Sequence, residues 1–115
     1  MEIRKRFRAM LEEPGCIVTP GVYDALSALA AERAGILAAV MGGYGVSASR
    51  LARPDVGLLT MTEMAQQLKM ICDAVNIPII ADGDTGYGNE INVERTVREF
   101  EHAGAAAILL EDQEF

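Results

Sequence analysis

Four short apolar runs, Cys16–Thr19, Ile36–Met41, Ile77–Ala81 and Ala105–Leu110, alternate with stretches of helical periodicity. This alternation constrains the fold more than any other feature of the chain. Runs this short, rich in β-branched residues and bounded by Gly or Pro, read as strands, and the Ile77–Ala81 run reads as buried on both faces. Between them, residues 2–12 place Ile3, Phe7, Met10 and Leu11 on one helical stripe. A second helix is expected over 23–34. A third follows Thr60, with Met64, Leu68, Ile71, Cys72 and Val75 on one face. The fourth covers 92–103 with Val93, Val97 and Phe100 inward. Strict strand–helix alternation with short connections implies a parallel sheet with right-handed crossovers. A doubly wound open sheet and a (β/α)8 barrel both satisfy this pattern, and both put polar clusters at the C-terminal ends of their strands. Four strands without a closing helix leave one edge and one face uncovered, and a barrel takes on the order of 250 residues, so the 115 residues read as an incomplete domain.

The punctuation between elements is explicit. Pro14-Gly15 stops the first helix, and Pro20-Gly21 closes the first run. Asp24 falls in the first turn of the second helix, where a negative charge suits the dipole, and Gly35 stops that helix. Ile36–Met41 opens into a Gly-rich loop over 42–49, and a long polar connection carries Arg53-Pro54-Asp55-Val56-Gly57. Thr60-Met61-Thr62-Glu63 is a capping box, and that helix stops at Asn76-Ile77-Pro78. Gly104 ends the last helix, and Glu111-Asp112-Gln113 stands at the tip of the fourth strand.

Chemistry concentrates after the third run, at Ala81-Asp82-Gly83-Asp84-Thr85-Gly86-Tyr87-Gly88-Asn89. If strand geometry persists, Asp82 and Asp84 point to the same side about 7 Å apart, with Gly83 leaving space between them. Two carboxylates held together repel, and a hard divalent cation relieves the repulsion. One Asp alone would read as a turn cap; the cluster favours a metal.

Composition narrows the functional classes. Half the residues are hydrophobic and the formal charge is −7, which excludes nucleic-acid or anionic-membrane binding through a basic patch. Cys16 and Cys72 stand alone, without zinc-site or disulfide-framework spacing, and read as core residues of a reducing compartment. No run reaches transmembrane length, and Met1–Arg6 leads into no signal-peptide core. A soluble, cytoplasmic protein is expected.

The nine-residue acidic motif, followed one helix later by Leu110-Glu111-Asp112-Gln113, resembles the isocitrate lyase/phosphoenolpyruvate mutase superfamily. Pro20-Gly21-Val22-Tyr23-Asp24-Ala25-Leu26-Ser27-Ala28, the Gly-rich loop at 42–45 and Arg53-Pro54-Asp55 fall in the family's order, so the resemblance spans the chain. It is greatest to short bacterial lyases acting on methylisocitrate or dimethylmalate, and to carboxyphosphonoenolpyruvate phosphonomutase-like proteins. The resemblance implies an α/β fold, the N-terminal half of a (β/α)8 barrel, with residues 1–115 forming a partial domain cut before the catalytic loop. It implies Mg²⁺, with Mn²⁺ as a substitute, bound directly by Asp84 and mainly through water by Asp55, Asp82 and Glu111. Gly42, Gly43 and Tyr44 would face the carboxylate end of a 2-oxo acid with their backbone. The implied activity is cleavage of a C–C bond in a 2-hydroxy or 2-oxo dicarboxylate to give pyruvate or a related oxo acid. The alternatives are a phosphonomutase working on a P–C bond, and an inactive half-barrel. A homo-oligomer and a small-molecule substrate are expected as partners, without nucleic acid or membrane.

Two departures from the family stand out. Gly42 occupies a position where many relatives carry Ser or Thr. The mobile Cys-bearing loop of the lyases would begin after Phe115, so no catalytic residue is assigned in this chain. An open-sheet nucleotide module using Gly42-Gly43-Tyr44-Gly45 is the reading outside the family, and it lacks the Gly-x-Gly-x-x-Gly spacing. His102 reads as a helix-end cation, the charges from Glu94 to Glu101 as a solvated face, and Tyr87 as packing or site wall.

Overall fold

The chain places nine elements in a computed structural model that describes residues 2–114: α1 (Glu2–Glu12), β1 (Gly21–Val22), α2 (Ala25–Arg33), β2 (Ala39–Met41), α3 (Gly43–Leu51), α4 (Met61–Ala74), β3 (Ile79–Asp82), α5 (Glu90–Ala103) and β4 (Ala107–Leu109). The four strands form one parallel sheet in the order β1-β2-β3-β4, so each strand pairs with the next in the chain. Register pairs Val40 with Ile80 and Ile80 with Ala107. It also pairs Met41 with Ala81 and Ala81 with Ile108.

That register divides the sheet into two unlike faces. Ala39, Met41, Ile79 and Ala81 are fully buried under the helices, together with Met64, Leu68 and Ile71 of α4, Phe100 of α5 and Val46 of α3. Burying side chains of this size contributes about 1.5–3 kcal/mol each, so this face holds the helical layer to the sheet. On the other face Val40 and Ile80 are only half-buried. The expectation of a central strand buried on both faces is thus corrected. Alternation along β3 puts Ile80 and Asp82 on this open side, and no described element covers it.

Several boundaries differ from the sequence reading, each for a physical reason. Residues 16–19 are extended but unpaired; pairing starts where the Val40 amide donates to the Pro20 carbonyl at 2.9 Å, making Gly21–Val22 the edge strand. Asp24 is the N-cap of α2 rather than a first-turn residue, accepting from the Ser27 amide at 2.7 Å while Ser27 Oγ returns the bond. The Thr60–Glu63 capping box opens α4 as expected. Asn89 caps α5, which starts at Glu90, two residues ahead of the expected start. Within α5 the buried positions are Thr96, Phe100 and Ala103, while Val97 is 37 % exposed. β4 is shorter than the expected Ala105–Leu110 and lies half-open at the sheet edge, with Leu109 and Leu110 exposed.

The largest difference is α3. The Gly-rich segment expected as a loop forms a nine-residue helix whose Val46 and Ser47 are buried. Tertiary contacts override the poor helix propensity of glycine here, and the consequence is that a helix N-terminus stands beside the end of β3.

Candidate functional site

β3 ends at Asp82, and the chain then leaves strand geometry at once. Asp84 has φ 48° and Tyr87 φ 62°, both in the left-handed region that non-glycine residues seldom adopt. The expected same-side projection of Asp82 and Asp84 from one strand is therefore corrected: they meet through a tight turn. Asp82 Oδ1 accepts the Asp84 amide at 2.9 Å, and Asp82 Oδ2 accepts the Gly43 amide at 2.9 Å. One carboxylate thus ties the acidic turn to the first residue of α3, where a negative charge also suits the dipole.

The turn is pinned from outside. The Gly86 amide donates to the Gly83 carbonyl at 2.9 Å, and buried Thr96 of α5 donates its hydroxyl to the Gly86 carbonyl at 2.8 Å. Gly86 has φ 97°, and a Cβ there would collide with Val93, so the turn is packed too closely for any other residue. The Glu111 amide donates to the Asp84 carbonyl at 2.8 Å, which brings the segment after β4 to the same place.

Asp55 arrives from the connection between α3 and α4. Ser47, buried on α3, shares its hydroxyl between the Arg53 and Pro54 carbonyls at 3.1 and 3.0 Å, fixing the backbone just before Asp55. A Cβ on Gly43 would lie 3.1 Å from both Asp55 Oδ2 and Asp82 Oδ2. That glycine is where two carboxylates crowd the helix start, and a side chain there would push them apart.

The electrostatics follow from this convergence. Asp84 is pushed up to about 6, first by burial, then by the charges of Asp82, Asp55 and Glu111. Among the described residues no cation offsets them: the ion pairs are Lys69–Asp73, Arg95–Glu99 and Arg98–Glu94, all on exposed helix surfaces. Asp82 uses both oxygens as acceptors, and Glu111 accepts from Gln113, whereas the donor beside the Asp84 carboxylate is the Tyr87 hydroxyl. Among the described residues no three His, Cys, Asp or Glu side chains stand grouped closely enough to hold a metal ion. Hard oxygen donors and uncompensated negative charge are the surroundings that a hydrated divalent cation relieves.

The expected oxo-acid loop is rearranged. Gly42 is the N-cap of α3 and supplies no side chain, and the Gly43 amide serves Asp82. The amides of Tyr44 and Gly45, in the first turn, have no intrahelical acceptor by construction. They are the groups able to meet an anion. Two contributors, Ser47 and Thr96, escape the sequence reading. Ser47 was hidden because its segment reads as loop. Thr96 was hidden because Val97 seemed the inward residue. Tyr87, half-buried, reads from the sequence as packing or site wall and is both: it packs against Phe100 with ring centroids 6.4 Å apart and also faces Asp84.

The family model for phosphoenolpyruvate phosphomutase matches residues 7–115. The chain belongs to the phosphoenolpyruvate phosphomutase family. This places it in the isocitrate lyase/phosphoenolpyruvate mutase superfamily that its acidic motif resembles. It is 51% identical over 113 residues to 2,3-dimethylmalate lyase of Eubacterium barkeri, covering 98% of this chain and 39% of that protein. It is equally 51% identical over 112 residues to the chloroplastic carboxyvinyl-carboxyphosphonate phosphorylmutase of Arabidopsis thaliana, covering 96% of this chain and 33% of the relative. A solved complex of phosphonopyruvate hydrolase with oxalate and Mg²⁺ matches the whole chain and 40% of its own length, at TM-score 0.94 and 37% identity. The chain thus spans about two fifths or less of the length of these relatives. Its α/β sheet is the N-terminal half of the family's (β/α)8 barrel. No described helix of this family member is long and apolar enough to cross a membrane.

Proposed function

We propose that these 115 residues are the metal-binding part of a Mg²⁺-dependent lyase that cleaves a C–C bond in a 2-hydroxy or 2-oxo dicarboxylate, giving pyruvate or a related 2-oxo acid. The observation that carries this reading is that the charges of Asp55, Asp82 and Glu111 bear on Asp84 without a compensating cation, with Asp55 and Asp82 at the start of α3. A hard, reluctantly dehydrated cation fits that donor set, with Asp84 as direct ligand and the other three acting through water. A bound Mg²⁺ supplies Lewis-acid stabilisation of charge developing on the oxo-acid oxygen.

The chain's own residues do the rest of the positioning. Asp82 holds the Gly43 amide and so aims the first turn of α3. The amides at Tyr44 and Gly45 orient the substrate carboxylate against the helix N-terminus. Ser47 and Thr96 fix the two segments that carry Asp55 and Asp84. The proton-transfer group is assigned to sequence beyond residue 115, in the share of the relatives' length this chain does not span. The protein is proposed to work in the cytoplasm as a homo-oligomer.

A phosphonomutase reading is the second one, favoured by the equal 51% identity to a lyase and to a phosphorylmutase. Metal and oxo-acid loop serve both chemistries. The test is an assay of the chain completed to its relatives' length, with a panel of 2-hydroxy and 2-oxo dicarboxylates and of P–C-bonded oxo acids. Mg²⁺-dependent release of pyruvate or glyoxylate from a dicarboxylate supports the lyase. Turnover confined to the P–C substrates transfers the assignment to the mutase, and no turnover of either class rejects both.

A further inference from the structure

The Tyr87 hydroxyl is buried and, among the described residues, makes no hydrogen bond. Orphaned buried hydroxyls are rare in folded proteins because each forfeits its water without replacement. This one is held firmly. Its backbone is left-handed, Gly86 before it has no room for a side chain, and its ring rests against Phe100. A phenylalanine would pack as well against Phe100, so core packing does not account for the oxygen. The hydroxyl lies beside the Asp84 carboxyl, and both residues line a cavity of about 350 Å³ with Val56, Gly57, Leu59, Thr85 and Gly88. The two groups are thus neighbours, and the hydroxyl stands just outside hydrogen-bond geometry with the carboxylate that can accept from it.

Resting on the metal reading above, we propose that Tyr87 is a positioning residue for Asp84, its hydroxyl donating to the carboxylate oxygen that does not bind the cation. One oxygen of Asp84 then faces Mg²⁺ and the other is fixed by Tyr87, a division common where a carboxylate ligates a metal. The rigid turn holds the phenol in place, so only the Asp84 side chain needs to rotate for the bond to close.

The test is Tyr87→Phe in the full chain, with Mg²⁺ affinity read by calorimetry and metal-free melting by circular dichroism. The expected result is Mg²⁺ binding weakened roughly tenfold, with the metal-free melting temperature unchanged or raised, since the substitution removes an unpaired buried donor. An unchanged Mg²⁺ affinity overturns the proposal and leaves the metal reading intact. A lowered metal-free melting temperature with unchanged affinity also overturns it, by showing a structural role. Absence of Mg²⁺ binding by the wild-type chain overturns both the metal reading and this inference.

Discussion

The two ends of the sheet treat charge in opposite ways. At the N-terminal end, α1 lies across the ends of α4 and α5. Arg4 donates to the Ala105 carbonyl at 3.0 Å and also to the Glu101 carbonyl, and Arg6 donates to the Asn76 carbonyl. Each of these cations is matched to backbone carbonyls in or just after the last turn of a helix. At the C-terminal end the charges of three carboxylates bear on a fourth, Asp84, two residues adopt left-handed backbone, and a buried phenol meets no hydrogen-bond geometry. One end is satisfied and relaxed; the other holds unbalanced charge and local strain. Strain of this kind persists only where surrounding structure enforces it, and it collects at functional sites. The difference therefore marks the C-terminal end as the working end, independently of any relative.

The substitution with the largest expected effect attacks the enforced turn. Gly86→Ala places a Cβ against Val93 on a backbone with φ 97° and is expected to cost about 2–4 kcal/mol of stability, measured by urea denaturation. A loss below about 0.5 kcal/mol would show that the turn relaxes freely, and the contrast between the ends would lose its main support.

Next comes the satisfied end. Arg4→Ala removes donors to two carbonyls and is expected to cost about 1–2 kcal/mol while leaving Mg²⁺ affinity unchanged. Altered Mg²⁺ affinity in that variant would mean that the two ends are not separable.

The smallest effect is the pH dependence of the metal-free protein. Asp84 is raised from 3.8 to about 6, chiefly by burial and then by Asp82, Asp55 and Glu111. The folded state holds this proton more tightly than the unfolded chain. Stability from this group is therefore full below about pH 4 and declines as pH rises toward about 6. Partial exposure screens the effect and keeps it small. Comparison of wild type with Asp84→Asn isolates it, because the variant lacks the decline; identical slopes would show that folding does not disfavour the charged form of Asp84.

Much of this was legible in the sequence. Apolar runs alternating with helical stripes dictated the parallel sheet, and Thr60-x-x-Glu63 marked the start of α4. The acidic motif announced the working end because two Asp flanking a Gly cannot serve a core. What was hidden depended on contacts distant in sequence. α3 reads as loop by propensity, and it becomes a helix because Val46 and Ser47 pack inward. β1 shifted past Pro20 because a proline carbonyl still accepts from Val40, whatever its missing N–H suggests. Thr96 and Ser47 act through backbone carbonyls 10 and 6–7 residues away, which no local pattern reveals.

The central claim is that the charged end is built around a cation held directly by Asp84. Calorimetric titration of Mg²⁺ into wild type, Asp84→Ala and Asp82→Ala tests it most directly. The account predicts that Asp84→Ala abolishes binding, whereas Asp82→Ala, whose carboxylate already accepts the Gly43 and Asp84 amides, weakens it by roughly tenfold. Equal losses from the two substitutions, or undiminished binding without Asp84, would contradict it.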